Sequence, residues 1–305
     1  MSHVQAEIAS QPECWLQAAK LAGAPGLPES GERVAAVGCG TSWFMAQAYA
    51  ALRERAGHGE TDAFQASELP TGRRYDRIVA ITRSGTTTEV LDLLTAAPGR
   101  TTVITADRAQ PAATLAAEAV VLDFADERSV VQTRFATSTL ALLRASLGED
   151  LEPMARDAEV AVRLPLPVDP STEQITFLGR GWTIGLANEA ALKCREAAGF
   201  WAEAYPAMDY RHGPIAIAGP RRVVWAFGEI PRGLADEVEA TGAAFVHSRH
   251  HGGYGALGRW GGGREPLDPM ADLIVAQRVA VQLAVGRDRN PDEPQNLRRS
   301  VVLTT

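Results

Sequence analysis

"RIVAITRSGTTTEVLDLLTAA" (residues 77–97) joins an apolar run, a turn crowded with hydroxyls and a helical segment. The run "RIVAIT" (77–82) shows little polar–apolar alternation, the mark of a strand buried on both faces, as in a parallel sheet. "TTEVLDLLTAA" after it reads as a helix. Hydroxyls and free N–H groups at a helix N-terminus suit a phosphate or another anion. Ser and Thr are also ordinary N-caps, so the turn alone leaves both readings open.

The same unit recurs along the chain. "RVAAVG" (33–38), "TTVITA" (101–106) and "AVVLDF" (119–124) are further strand candidates. "SWFMAQAYAALRERA" and "TRFATSTLALLRASL" read as helices between and after them. Repeated strand–helix order predicts a doubly wound α/β sheet. The scheme restarts with "ITFLGRG" (175–181), "GLANEAALKCREA", "RVVWAFG" (222–228) and "AFVHS" (244–248). "VGCGTSW" and "LGRGWTI" repeat a strand–GxG–helix pattern, which suggests a duplicated domain. A dinucleotide fingerprint would need glycine at 43, where Trp43 stands. What remains there is a turn offering Thr41 and Ser42 hydroxyls. If strands 33–38 and 77–82 adjoin, both hydroxyl-rich turns reach one C-terminal sheet edge, where α/β sheets bind ligands.

The expected organisation is an N-terminal helical segment (1–22), a first domain (23–162), a proline-bearing linker (163–173), a second domain (174–290) and a tail (291–305). The glycine-rich stretch 249–266 is expected to be a mobile surface loop.

At 305 residues, 46% hydrophobic and 22% charged, the chain can build a substantial core. Its net charge of -7 argues against general nucleic-acid binding but leaves a small anionic ligand open. Three cysteines without a CxxC pair fit a reducing compartment. The N-terminus lacks a secretory pattern, and "IVAQRVAVQLAVG" is too short and too polar to span a bilayer. A cytoplasmic protein that binds neither membrane nor nucleic acid is expected. His247, His250 and His251 lack nearby carboxylates or thiolates and read as a solvated patch, so no metal is expected.

Glu189, Lys193 and Glu196 recur at i, i+4 and i+7 and so share a helix face, with Glu203 and "RHGP" (His212) following. A surface stripe of ion pairs satisfies that spacing equally well.

In order along the chain, "EIASQP", "GCGTS", "RSGTTTE", "ERSVVQTRFATS", "LGRGWTIGLANEAALKCRE", "AEAYPAMDYRHGP" and "NPDEPQNLRRSV" resemble the double sugar-isomerase (SIS) family. The likeness is greatest to the isomerase domain of glucosamine-6-phosphate synthase and to hexosamine-phosphate deaminases. The resemblance implies two flavodoxin-like domains, each a parallel sheet with helices on both faces. It implies phosphate binding by Ser84, Gly85, Thr87, Thr82 and Ser42, and a sugar site lined by Thr41, Gln132, Thr133 and Lys193. Glu196 matches the base that moves a proton between C1 and C2. His212 matches the histidine that assists ring opening, which related enzymes take from the neighbouring protomer, so a homodimer with shared sites is implied. No cofactor is.

Two departures shape the reaction expected. No glutaminase domain precedes the SIS pair, so glutamine-dependent synthesis is not expected. Arg299 stands where the synthase has an imine-forming lysine; it is a poor imine former but can stabilise an oxyanion. The leading expectation is an enzyme acting at C2 of an amino-sugar 6-phosphate, with isomerisation coupled to deamination. A second is elimination of the C3 substituent from an N-acetylhexosamine 6-phosphate. A third is a non-catalytic sugar-phosphate-sensing module.

Overall fold

The computed structural model describes residues 2–97, 99–248 and 266–303 and contains two parallel sheets. The first comprises β1 (Val34–Gly38), β2 (Thr61–Gln65), β3 (Arg77–Ile81), β4 (Thr101–Thr105) and β5 (Glu118–Val121), in the order β2-β1-β3-β4-β5. The second comprises β6 (Gln174–Gly179), β7 (Ala202–Pro206), β8 (Arg222–Ala226) and β9 (Ala244–Val246), in the order β7-β6-β8-β9. In each, the chain steps outward on one side of its first strand and then crosses to the other. That is the flavodoxin-like, doubly wound arrangement.

Each continuous apolar run is a strand here, and the two strands without such a run are β2 and β7. Both lie at sheet edges, and only their first residues are fully buried, whereas all five residues of β1 are. Their partly open faces accept polar residues such as Asp62, Gln65 and Glu203, so neither sequence carries a long apolar run.

Helices cover both faces. Ala35, Val37, Ala80 and Val103 form one core with Val90, Leu93 and Leu94 of α4 (Thr88–Ala96) and Ala112 of α5 (Pro111–Leu115). Burying each large aliphatic side chain of α4 contributes about 1.5–3 kcal/mol. On the other side, α3 (Thr41–Arg55) packs along β1 and β2 and against α6 (Arg134–Ser146). α2 (Gln11–Ala19) joins α6, where the Trp15 indole donates to Thr137 Oγ1 at 2.9 Å.

In the second sheet, Leu178, Val224, Ala226 and Phe245 pack on α9 (Leu234–Glu239). Phe177, Trp225 and Phe227 form a ring cluster with centroids 5.7 to 6.1 Å apart. Trp225 Nε1 reaches Asp272 of α10 (Pro269–Val285) at 3.5 Å, and α10 packs on α8 (Thr183–Ala198).

The glycine pairs have a packing role in both sheets. A Cβ on Gly38 would come within 2.6 Å of the Ser42 backbone, and one on Gly179 within 2.3 Å of Thr183. Gly40 and Gly181 take left-handed φ values of 54° and 57°, open to glycine at little cost. Each pair lets a helix start hard against the strand before it.

The chain divides into two compact units. One holds Ser10–Glu152 and the tail from Asn296; the other holds the chain through Ala9 and Pro153–Gln295. The N-terminal segment is therefore two helices in different units. α1 (His3–Ala9) is capped by Asp292, whose carboxylate accepts the His3 and Val4 N–H groups at 2.8 and 2.7 Å. The crossing into the second unit falls at the start of α7 (Glu152–Ala161), between Glu152 and Pro153. No helix among the described residues is long and apolar enough to cross a membrane. The glycine-rich stretch, but for Pro266, lies outside the described residues, as do His250 and His251.

Candidate active site

β1 and β3 pair in parallel, with Gly38 opposite Ile81, so the turns that follow them leave the same C-terminal edge. From β1 come Thr41 and Ser42, both buried at the first turn of α3. From β3 comes the turn 82–87, which runs into the N-terminus of α4. Thr82 is buried beneath it and accepts the Gly85 N–H at 3.3 Å. Gly85 is left-handed, with φ 65°, and a Cβ there would lie 2.5 Å from the Gln110 side chain. The turn is thereby folded so that Ser84, Thr86 and Thr87 aim their hydroxyls at one point. The Ser300 hydroxyl from the tail occupies that point, at 3.1 Å from Ser84 Oγ, 2.9 Å from Thr86 Oγ1 and 3.4 Å from Thr87 Oγ1. Several hydroxyls at a helix N-terminus suit an anion.

Beneath this turn lies an arginine that does not face solvent. Arg83 is buried and donates to the carbonyls of Ser129 at 3.0 Å, Val130 at 3.4 Å and Arg299 at 3.2 Å. Its guanidinium pairs with the Glu127 carboxylate at 3.4 Å. Burial pulls the Arg83 guanidinium below its ordinary value, while Glu127 opposes that shift. Glu127 Oε1 accepts from Thr133 N at 2.5 Å, Thr133 Oγ1 at 2.9 Å and Arg134 N at 2.8 Å, capping α6. Thr133 thus bonds to its own loop. Its neighbour Gln132 keeps a buried Oε1 without a partner among the described residues, an acceptor free to meet a ligand hydroxyl. Arg299 donates to the Glu127 carbonyl and, at 2.5 Å, to Asp126 Oδ1.

In the second unit, Glu189, Lys193 and Glu196 lie on α8 and are no surface stripe. The side chains of Lys193 and Glu189 are 1% and 0% exposed, while that of Glu196 is 22% exposed. Lys193 Nζ sits 3.4 Å from Glu189 Oε1 and 2.5 Å from Glu196 Oε2. A buried ammonium between two carboxylates fixes the outer one in place. His212 ends a short 3-10 turn (Asp209–His212) and is exposed. Glu203 lies on β7 and bonds to Trp201 and Tyr205. The solvated histidine patch needs correction at His247, which is buried with Nε2 2.6 Å from the Gly228 carbonyl. Among the described residues no group of three His, Cys, Asp or Glu is placed to hold a metal ion.

No family model matches the chain. It is 30% identical over 305 residues to the glutamine–fructose-6-phosphate aminotransferase (isomerizing) of Sulfolobus acidocaldarius, across 90% of this chain and 51% of that one. It superposes on the glucosamine-6-phosphate deaminase of Thermotoga maritima with a TM-score of 0.79 and 25% identity, covering 99% of this chain and 100% of that one. The chain belongs to the double sugar-isomerase family. This double-SIS chain also shares its fold, at 18% identity and a TM-score of 0.78, with the tagatose-6-phosphate ketose/aldose isomerase of Escherichia coli, covering 99% and 96% of the two chains. It spans about half the length of the curated relatives it matches.

Sequence reasoning missed four residues of this double-SIS site: Arg83, Thr86, Glu127 and Ser300. Thr86 and Ser300 each adjoin a residue singled out by motif. Arg83 and Glu127 each open a stretch that carries the resemblance, yet were not singled out, because a lone charged residue in a turn ordinarily reads as exposed.

Proposed function

We propose that this double-SIS chain is a sugar-phosphate enzyme acting at C2 of a hexosamine 6-phosphate, with isomerisation coupled to deamination. The Glu189–Lys193–Glu196 array supports this most strongly. Lys193 holds Glu196 Oε2 at 2.5 Å, leaving Oε1 as the oxygen to take the C2 proton. A base for a carbon acid must be held in position, since general-base efficiency depends first on geometry.

The roles follow from the chemistry. Ser84, Thr86 and Thr87, with the α4 N-terminus, bind the phosphate, and Gln132 accepts from a sugar hydroxyl. His212, exposed on its own chain, opens the ring of a substrate held by the partner copy in a homodimer. With C1 an aldehyde, Glu196 removes the C2 hydrogen, and the electron pair passes to the C1 oxygen as an enediol-type species. Reprotonation at C1 gives a C2 iminium, which water hydrolyses to a ketose phosphate and ammonia. The names of the relatives, an aminotransferase and a deaminase of sugar phosphates, agree with this substrate class. Three free thiols accord with a cytoplasmic setting.

Arg299 favours a second outcome. Its guanidinium binds Asp126 and the Glu127 carbonyl and offers no imine-forming amine. From an N-acetylated substrate the same enediolate can expel the C3 hydroxyl as water. Incubation with glucosamine 6-phosphate and with its N-acetyl form in deuterium oxide, read by mass spectrometry, tests both. Ammonia with a ketose phosphate supports deamination; loss of one water with the acetamido group retained supports elimination. Tight binding without C2 exchange in either substrate refutes an enzymatic role and leaves a sensing module.

A further inference from the structure

The donors expected to meet a phosphate are already engaged, and by the tail. Ser84 and Thr86 donate to Ser300 Oγ at 3.1 and 2.9 Å, and Thr87 Oγ1 lies 3.4 Å from it, with either hydroxyl able to donate. The Thr88 N–H, the first of α4, donates to the Val301 carbonyl at 3.1 Å. Leu303 N–H then donates to Thr88 Oγ1 at 2.9 Å. One short segment thus takes the hydroxyls of the turn and a helix-terminal N–H together.

Arg299 before it is anchored by Arg83, Asp126 and Glu127, but beyond Ser300 the segment has little apolar hold. Val301, Val302 and Leu303 are 54%, 62% and 63% exposed, so lifting them returns little apolar surface to water. Its bonds to the turn are neutral ones, and a phosphate oxygen takes the same donors in charge-assisted bonds about twice as strong.

We propose that Ser300 and Val301 are an internal ligand of the hydroxyl cradle, which a bound phosphate displaces, releasing Arg299 with them. The inference rests on the turn being a phosphate site. Arg299 adjoins Ser300, and its guanidinium is held by Asp126 and Glu127 while the tail is seated. Phosphate occupancy therefore decides when that cation leaves the 126–127 segment and becomes available to an oxyanion. Substrates without the phosphate leave the tail, and Arg299, in place.

Titration of the full chain with inorganic phosphate, followed by calorimetry, tests this. Ser300→Ala removes the competing hydroxyl and is expected to tighten phosphate binding about two- to tenfold, the net weight of one such hydrogen bond. Ser300→Thr keeps the hydroxyl and is expected to bind as the native chain does. Phosphate is also expected to speed tryptic release of the peptide that follows Arg299, read by mass. Unchanged or weaker phosphate binding by Ser300→Ala, or slower release with phosphate bound, overturns the displacement. Ser84→Ala separates the two ideas, since it is expected to weaken phosphate binding. Should it not, the phosphate site itself is refuted. Should it do so while Ser300→Ala fails to tighten binding, only the internal ligand is lost.

Discussion

Replacing Arg83 by methionine removes a buried guanidinium that ties three segments of one unit together. Its contacts are the carbonyls of Ser129 at 3.0 Å, Arg299 at 3.2 Å and Val130 at 3.4 Å, and the Glu127 carboxylate at 3.4 Å. Only the first has a near-ideal length, so only it counts in full as a bond from a charged donor, about 1.5–3 kcal/mol. Breaking a buried ion pair from one side costs about 3–5 kcal/mol. The long pairing distance places Arg83→Met at the lower end, about 3 kcal/mol, because methionine refills much of the apolar volume. Two compact units need not unfold in one transition, so the assay should report on this unit alone. Native-state hydrogen exchange at the slow amides of β3 and β4 does so. They are expected to exchange about 10²-fold faster in Arg83→Met, each tenfold being about 1.4 kcal/mol. Arg83→Lys keeps the charge but not the planar fork, and an intermediate loss is expected. Exchange in Arg83→Met within about threefold of the native rate would refute the role given to this buried fork.

Glu196→Gln should abolish deuterium uptake at C2, since general-base catalysis typically contributes about 10²–10⁴ in rate; exchange at the native rate would remove Glu196 from that role. Mixing inactive Glu196→Gln with inactive His212→Ala protomers should restore activity through hybrid sites, and proven subunit exchange without activity would sink the shared site. Burial disfavours the Glu32 carboxylate, yet bonds from Arg77, the Glu29 N–H and Arg100 outweigh it and hold its pKa below the usual range. That stability is present above the unfolded value of about 4.3 and is lost as pH falls through the folded one, so Glu32→Gln should flatten the acid limb of a stability–pH curve. Identical acid limbs would contradict this.

The amino-acid sequence by itself determined the seven inner and flanking strands with apolar runs, the parallel character of the sheets, and the hydroxyl-rich turn at a helix start. These follow from local physics, because a strand buried on both faces is poor in charged residues and shows little alternation, and a helix start must offer N–H groups. It also placed Glu189, Lys193 and Glu196 on one helix face, since 3.6 residues per turn fixes that. Tertiary structure alone decided that this face is buried, because periodicity shows which residues share a side but not what covers it. β2 and β7 emerged only from pairing, their bonds being supplied by β1 and β6 rather than by their own apolar content. Arg83 became a buried fork only once residues 127–130 and the Arg299 carbonyl closed around it. Ser300 lies 216 residues from Ser84 and meets it only because the tail folds back over α4. A hydrogen bond across that separation leaves no period in the sequence, since its two halves are ordinary serines until the chain brings them together.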